Sequence, residues 1–253
     1  MKIKFCRSCK NSSIKKVFDL GNHKLTGVFP KTKNEKIDSG RLGMVYCNNC
    51  SLLQLENSFN PKKMYGSNYG YMSSQNLSMI SHLKNKSIKL KKLSKLKKSE
   101  IVVDIGSNDG TFLNFFEKKY KLFGIDPSSK RLKKFYRDDI NVISDFFTES
   151  KIAKYLAKKK AKIITTISMF YDLEDPIKFA KDVYNSLDEN GIWHLEQSYM
   201  PSMIKNCSYD TICHEHLEYY SLKSIKYIFD KIGFVIIDLE FNNINGGSFA
   251  LTV

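Results

Sequence analysis

The chain lacks any hydrophobic stretch long enough to cross a membrane. A membrane-spanning helix needs about 20 consecutive apolar residues, and nothing in the 253 residues approaches that length. The N-terminus also lacks the apolar core of a secretory signal peptide before the first cysteine at Cys6. Internal repeats and long disordered segments are absent as well. We therefore expect a cytoplasmic protein with reduced cysteines and no membrane partner.

Acidic residues are scarce relative to basic ones. The chain has 26 Asp and Glu against 41 Lys and Arg, a formal net charge of +15. Such an excess can mark a protein that binds nucleic acid. The lysines, however, are spread over many segments, and the densest run, residues 84–98, alternates Lys with Leu and Ile at helical spacing. This pattern favours a solvated helix with one apolar stripe over a nucleic-acid site.

Common nucleotide and metalloprotease motifs are missing too. The sequence contains neither the G-x-G-x-x-G of dinucleotide enzymes nor the G-x-x-x-x-G-K-[ST] phosphate loop. His214 and His216 flank one glutamate, so the H-E-x-x-H spacing of zinc proteases is also absent.

What the chain does have is two C-x-x-C pairs. Four thiolates fill a tetrahedral Zn²⁺ site and leave no open coordination position, so the pairs predict a structural zinc site. The alternatives are two disulfides, which need an oxidising compartment, and a redox C-x-x-C, which is not expected doubled and outside a β-α unit. The predicted ligands are Cys6, Cys9, Cys47 and Cys50.

From residue 101 onward, strands and helices are predicted to alternate, which indicates a parallel sheet covered on both faces. The last two strands, in residues 233–241 and 247–253, are too close for a crossover helix and should pair antiparallel. This α/β arrangement is typical of the class I methyltransferase (Rossmann-like) sheet. The predicted strands are 101–105, 122–125, 141–144, 163–167 and 192–195, and the predicted helices are 74–98, 111–119, 130–137 and 175–187.

A glycine-containing loop follows the first of these strands, at the edge where open α/β sheets bind ligands. Gly106 allows a sharp turn, and Gly110 is expected to let a ligand approach the backbone. Asp126 ends the next strand, where a carboxylate can accept hydrogen bonds from ribose hydroxyls. The pattern predicts an S-adenosylmethionine site. The predicted residues are Gly106, Ser107, Asn108, Asp109, Gly110, Asp126, Pro127, Asp145 and Phe146.

A second polar segment, His214-Glu215-His216, follows the fifth strand. Imidazole and carboxylate groups transfer protons near neutral pH, which suggests a catalytic role. The alternative is a surface loop held by histidine hydrogen bonds. His82 is expected on the solvated helix, and His194 is expected to be structural.

The ordered motifs resemble those of the zinc-containing sugar C-methyltransferases, which act on nucleotide-linked 4-keto-deoxysugars. The motifs are the two C-x-x-C pairs, Y-x-Y-x-S-S at 69–74, I-G-S-N-D-G-T at 105–111, Y-D-x-I-x-H-E-H at 209–216 and N-G-G-S at 245–248. The resemblance implies that His216 removes a carbon-bound proton with help from Glu215. It also implies that Tyr69 or Tyr71 lies near the sugar, and that Tyr69, Tyr71 or His214 can donate to the enolate oxygen.

The chain departs from that family in three places. Cys213 stands where the family has tyrosine, residues 169–176 differ, and the 253 residues do not include the family's further C-terminal domain. We therefore expect a fragment of a longer protein, a partner that supplies the domain, or a substrate that is held differently. The predicted division is a zinc-binding module in 1–57, a Tyr-rich connector and helix in 58–98, and a SAM-dependent methyltransferase domain in 99–253. An RNA methyltransferase and a non-catalytic SAM-binding subunit are the alternative functions.

Overall fold

The computed structural model describes residues 1–65 and 69–253 and, over that part of the chain, forms two sheets. The first elements are β1 (Ile14–Lys24), β2 (Ser39–Cys47), β3 (Leu53–Leu55), α1 (Pro61–Met64), α2 (Leu77–Leu93), β4 (Ile101–Ile105), β5 (Lys121–Ile125), α3 (Ser129–Leu132) and β6 (Ile140–Ile143). The remainder are α4 (Glu149–Tyr155), β7 (Ala161–Ile167), α5 (Pro176–Ser186), β8 (Leu187–Ser198), α6 (Met200–Lys205), β9 (Glu218–Tyr219), α7 (Leu222–Ile232), β10 (Asp238–Asn242) and β11 (Ser248–Thr252).

The larger sheet has the strand order β6-β5-β4-β7-β8-β11-β10. Strands β4 to β8 run parallel, whereas β11 pairs antiparallel with both β8 and β10. The predicted parallel sheet with a terminal antiparallel pair is therefore confirmed. Its order changes direction at β4, so the loops after β4 and β7 open a crevice at the carboxyl edge of the sheet.

Apolar side chains cover both faces of this sheet. On one face, Phe179 of α5 and Phe229 of α7 pack with Trp193, which is fully buried. On the other, Leu83 and Leu90 of α2 pack with the strands in a separate cluster. Both faces are thus removed from water, which explains why the central strands are continuous runs of apolar residues rather than alternating ones.

The smaller sheet, β1-β2-β3-β9, is mainly N-terminal. Its fourth strand comes from residues 218–219, far along the chain, through antiparallel pairing with β3. The predicted 1–57 module is therefore joined to the rest of the protein by backbone hydrogen bonds, and its boundary stays a prediction.

Two local expectations are wrong. Residues 111–119 form only a 3₁₀ turn, Leu113–Phe115, because Arg137 Nη1 donates to the carbonyls of Asn114 (2.7 Å) and Phe116 (2.8 Å) and so satisfies groups that a helix would use. Helix α2 carries an unexpected buried network, in which His82 and Lys86 both contact the carboxylate of Glu196. In the described residues, no helix is long and apolar enough to cross a membrane.

Candidate active site

The four predicted zinc ligands converge at one point. The sulfur atoms of Cys6, Cys9, Cys47 and Cys50 all lie within 4.8 Å of one another. The closest pairs are Cys6 with Cys50 (3.5 Å) and Cys9 with Cys47 (3.4 Å). Zn–S bonds of about 2.3 Å in a tetrahedron place sulfurs roughly 3.8 Å apart, so the cluster fits Zn²⁺. Gln54 Nε2 donates to Cys6 Sγ at 3.1 Å, which helps to fix the thiolate.

Arg7, which lies between Cys6 and Cys9, is buried and connects this C-x-x-C pair to the part of the chain that forms the larger sheet. Its guanidinium donates to Leu55 O (2.6 Å) and contacts Glu174 Oε2 (3.2 Å). Glu174 in turn lines a cavity at the carboxyl edge of the larger sheet. The guanidinium of Arg7 therefore connects the first C-x-x-C pair to Glu174 in the cavity wall.

The cavity lies at the carboxyl edge of the sheet and has a volume of about 330 Å³. Most of the residues predicted to bind the cofactor line it: Gly106, Ser107, Asn108, Asp126, Pro127, Asp145 and Phe146. The predicted substrate tyrosines Tyr69 and Tyr71 line it as well.

Backbone geometry explains the two loop glycines differently. Gly106 has φ +75°, and a Cβ there would lie 2.9 Å from Met169 Cγ. Gly110 has φ +78°, but a Cβ there would meet the ring of Tyr136 at 2.5 Å. The ring of Tyr136 thus occupies the space that a side chain at position 110 would need, and Gly110 does not line the cavity, so its contact with a ligand stays a prediction.

The Asp126 carboxylate is held in place by protein donors. It accepts from Asn108 N at 2.9 Å, and from the backbone N (2.6 Å) and Oγ (2.6 Å) of Ser128. These bonds join the loop after β4 to the end of β5 and fix the carboxylate at the cavity wall.

The other two polar loop residues bind the Tyr-rich connector. Asn108 accepts from Ser73 N (3.0 Å) and donates to Tyr71 O (3.2 Å). Asp109 accepts from Ser74 N (2.9 Å) and does not line the cavity. Asp109 therefore positions the connector over the loop, a role that its place in the motif did not indicate.

Comparison with known proteins identifies the large sheet. A family described as "Methyltransferase domain" matches residues 80–239, most of the chain. The chain belongs to this methyltransferase family. A family described as "Putative zinc binding domain" matches residues 6–65, which contain the cysteine cluster. The chain therefore contains a SAM-dependent methyltransferase domain, with S-adenosylmethionine as its cofactor, and an N-terminal zinc-binding domain.

Individual relatives agree with this assignment. The C-methyltransferase NovU of Streptomyces niveus is 26% identical over 251 residues, 96% of this chain. The chain spans 59% of the length of NovU. Among solved structures, the plantazolicin methyltransferase BpumL with SAH has a TM-score of 0.54 at 12% identity, covering 71% of this chain and 86% of that one. A SAM-dependent methyltransferase from Leishmania major has a TM-score of 0.51 at 13% identity, covering 72% and 76%. At these identities the structures establish the fold alone.

In the methyltransferase, His214 is fully buried and both of its ring nitrogens are engaged. Nδ1 accepts from Thr26 N (3.2 Å), and Nε2 donates to Gly40 O (3.0 Å). The ring also packs edge-on against Phe59. Burial lowers the pKa of His214, which favours the neutral form that these bonds require. This arrangement favours a structural role that ties the segment to the zinc-binding domain.

Glu215 packs against the same domain and does not line the cavity. A Cβ on Gly27 would lie 2.0 Å from Glu215 Oε1, so only glycine leaves room for the carboxylate. Burial raises the pKa of Glu215. The pKa of Tyr69 is raised by burial and then by the charge of Glu215, which places that carboxylate within electrostatic reach of a residue lining the cavity.

His216 is oriented by its own loop. Nδ1 donates to Thr211 O at 3.0 Å, and the ring lies 4.2 Å from the ring of Tyr171. With the proton on Nδ1, Nε2 carries the free lone pair that a general base needs. His216 itself does not line the cavity, but Asp172, which does, interacts with it electrostatically.

Sequence reasoning missed two carboxylates in the cavity wall. Asp104 is fully buried; burial raises its pKa to about 7, and it accepts from Thr165 Oγ1 at 2.6 Å. Asp172 follows β7 and is half-buried, and burial is the main cause that raises its pKa well above the ordinary value. Asp104 could have been found from its place at the end of a strand beside Gly106. No sequence signal marks Asp172, because its position depends on long-range packing against the segment around His216.

Proposed function

We propose that this methyltransferase transfers the methyl group of S-adenosylmethionine to a carbon atom of a nucleotide-linked keto-deoxysugar. The observation that carries the proposal is the position of the His-Glu-His segment beside the cofactor cavity. Leu217 N donates to Tyr171 O at 2.8 Å, which brings His216 beside Asp172 in the cavity wall. The charge of Glu215 also contributes to the raised pKa of Tyr69, which lines the cavity as well. Similarity to the C-methyltransferase NovU supports carbon as the methyl acceptor.

The chemistry follows from the weak acidity of a proton beside a ketone. His216 Nε2 removes this proton, and the electron pair of the C–H bond moves to the ketone as an enolate. S-adenosylmethionine bound in the cavity would supply the methyl group to the enolate carbon, and the electrons of the broken S–C bond would stay on its sulfur. The ketone is restored, and the imidazolium returns its proton to water.

The other predicted residues would bind the reactants. Asp126 would accept from the ribose hydroxyls, and Phe146, at the turn with Asp145, would lie near the adenine. Tyr69 and Tyr71, on the connector, would contact the sugar. The backbone of Tyr69 forms an isolated β-bridge with that of Val28. The zinc-binding domain would therefore help to position the tyrosines that contact the sugar.

The test uses a panel of dTDP-, CDP- and GDP-linked 4-keto-deoxysugars with ¹³C-methyl S-adenosylmethionine. We expect a new carbon-bound methyl signal for at least one member, and solvent deuterium exchange at the adjacent carbon when the methyl donor is omitted. Methyl groups on oxygen or nitrogen of the accepted substrate would contradict C-methylation. Transfer to RNA in place of every sugar would favour the alternative methyltransferase class.

The base is tested by His216→Ala, with His23→Ala as the matched control. His23 is exposed in the zinc-binding domain, where Nε2 contacts Leu20 O at 2.7 Å. We expect His216→Ala to lose roughly 10²–10⁴-fold in turnover and to abolish deuterium exchange, because general-base catalysis contributes about that much. The control should exchange at the wild-type rate. Exchange at the wild-type rate in His216→Ala would assign the base to another residue.

A further inference from the structure

Asp172 is the most unusual carboxyl group of the cavity. It lies half-buried at the end of the 3₁₀ turn Phe170–Asp172, with its Oδ1 atom enclosed, and contributes to the cavity wall. Among the described residues, its Oδ1 has no hydrogen bond of standard geometry, and the group within reach of it is the hydroxyl of Tyr65, which has no other partner. Buried polar atoms without partners are rare in folded proteins, and those that line a cavity are available to a ligand.

A backbone hydrogen bond fixes Asp172 beside His216. Leu217 N donates to Tyr171 O at 2.8 Å. His216 and Asp172 are the chain neighbours of these two residues, so they lie on adjacent backbone segments. Beside this hydrogen bond, the ring centroids of Tyr171 and His216 lie 4.2 Å apart, with the ring planes tilted by 56°. The backbone hydrogen bond and the ring contact thus keep the segments that carry Asp172 and His216 next to each other.

The surroundings of Asp172 offer little to stabilise a negative charge. The titratable groups that face it from other segments are Tyr65, Tyr69, Cys213, Glu215, His216, Glu218 and Tyr219. Of these, His216 and the hydroxyl of Tyr65 lower the pKa of Asp172, and together they offset the effect of burial only in part. Burial is the main cause that raises the pKa of Asp172 well above its ordinary value, and neighbouring Glu215 raises it further. A carboxyl group in such a place keeps its proton and can donate it in a hydrogen bond.

We propose that Asp172, as a neutral carboxylic acid, donates a hydrogen bond to the substrate oxygen that becomes negative when His216 removes the carbon-bound proton. This inference rests on the proposed C-methylation and adds the electrophilic partner of that step. The proton stays on Asp172: the C–H proton goes to His216, the electron pair goes to the enolate, and the hydrogen bond shortens as charge develops on oxygen. Asp172 thereby fills the role for which Cys213 is unsuited, since burial raises the pKa of that thiol to about 11 and a thiol is a weak donor.

The first experiment needs no substrate. Protein labelled with ¹³Cγ-aspartate is titrated by NMR, and the Asp172 signal is assigned by its absence in Asp172→Asn. Asp230→Asn, which alters an exposed carboxylate paired with Lys226, serves as the control. We expect the Asp172 signal to report a protonated carboxyl group at pH 7. An ionised Asp172 at that pH would overturn the proposal, whatever the substrate proves to be.

The second experiment measures deuterium exchange and methyl transfer with the accepted ketosugar. Asp172→Asn keeps the shape and supplies an amide N–H donor, so we expect turnover within roughly tenfold of wild type. Asp172→Ala removes the donor and should lose roughly 10²–10³-fold. Wild-type turnover should also fall as pH rises through the pKa of Asp172, and this alkaline decline should disappear in Asp172→Asn. Cofactor calorimetry and thermal melts establish that both variants fold.

The outcomes separate this proposal from the function on which it rests. Equal losses in the Asn and Ala variants, with the alkaline decline unchanged, would overturn the role of Asp172 while C-methylation stands. A protein with protonated Asp172 that exchanges no ketosugar proton would overturn both the proposed function and the donor role at carbon.

Discussion

The roles of some site residues can be predicted from a sequence motif, whereas the roles of others become clear only from their contacts in the fold. Gly106 and Asp126 are readable from sequence because a strand, a sharp turn and a strand-end acid recur together at this edge of an α/β sheet. Asp109 and Gly110 belong to the same motif, yet Asp109 binds Ser74 N and Gly110 makes room for Tyr136. His214 is equally ambiguous: its sequence context suggests chemistry, whereas its contacts with Thr26 and Gly40 are structural. Sequence identifies the residue types, and only the fold shows what each one contacts.

The Asp126 prediction can be measured directly. Asp126→Ala should weaken S-adenosylmethionine binding by about 1–3 kcal/mol, because charge-assisted hydrogen bonds to the ribose hydroxyls are lost. Asp188→Ala, an exposed carboxylate distant from the cavity, is the control. Calorimetry gives the affinities, and a thermal melt of each variant separates loss of binding from loss of the bonds to Asn108 and Ser128. Unchanged affinity in Asp126→Ala would move the ribose to other residues.

At the scale of elements, the hydrophobic pattern predicts the sheet well and the helices less well. The predicted central strands lie within a few residues of the observed ones, because a short apolar run bounded by turns is typical of a buried strand. The pattern also predicts helix α2, but it places all of the helix's lysines in solvent. Lys86 instead lies buried between Glu196 of β8 and Glu240 of β10. A lysine at helical spacing looks the same in sequence whether it faces water or a buried carboxylate, so this network could not be foreseen.

The ion pairs of Lys86 should contribute strongly to the packing of helix α2 against strands β8 and β10. Lys86→Ala leaves the buried carboxylate of Glu196 short of a partner and should lower the free energy of unfolding by about 3–5 kcal/mol. Lys92→Ala, on the exposed side of the same helix, should change it by less than about 0.5 kcal/mol. Denaturant titration of both variants provides the measurement. A Lys86 variant as stable as the Lys92 control would show that the buried ion pairs contribute no net stability.

The same network predicts an acid-sensitive contact. Burial raises the pKa of Glu240, but hydrogen bonds from Lys86 and Lys89 outweigh it and lower the pKa from the ordinary 4.5 to about 2. A depressed carboxyl pKa contributes stability that is complete above about pH 4.5 and is lost as pH falls toward 2. Glu240→Gln should therefore flatten the decline of the unfolding free energy across this window. An identical acid dependence in wild type and Glu240→Gln would assign the decline to other groups.

At the scale of the whole molecule, the zinc-binding domain and the methyltransferase sheet form a single packed body. Three of the cysteines belong to the same apolar cluster as Trp193 and Tyr220 of the large domain. Strand β9 completes the N-terminal sheet, and Arg7 joins the first knuckle to Glu174 in the cavity wall. C-x-x-C spacing predicts the four ligands, but it carries no information about these contacts, because they join distant parts of the chain; Arg7 and Glu174, for example, are 167 positions apart.

The metal should therefore support the active-site cavity as well as its own domain. Protein purified without added zinc should contain about one equivalent, and Cys47→Ser should lower both zinc content and thermal stability, because a closed four-thiolate site contributes its binding energy to folding. Cys207→Ser, at an exposed free thiol, is the matched control and should behave as wild type. Arg7→Met separates the two effects: it should retain zinc, yet weaken substrate turnover through the loss of the contact with Glu174. Equal turnover in Arg7→Met and wild type would confine the role of the zinc-binding domain to folding.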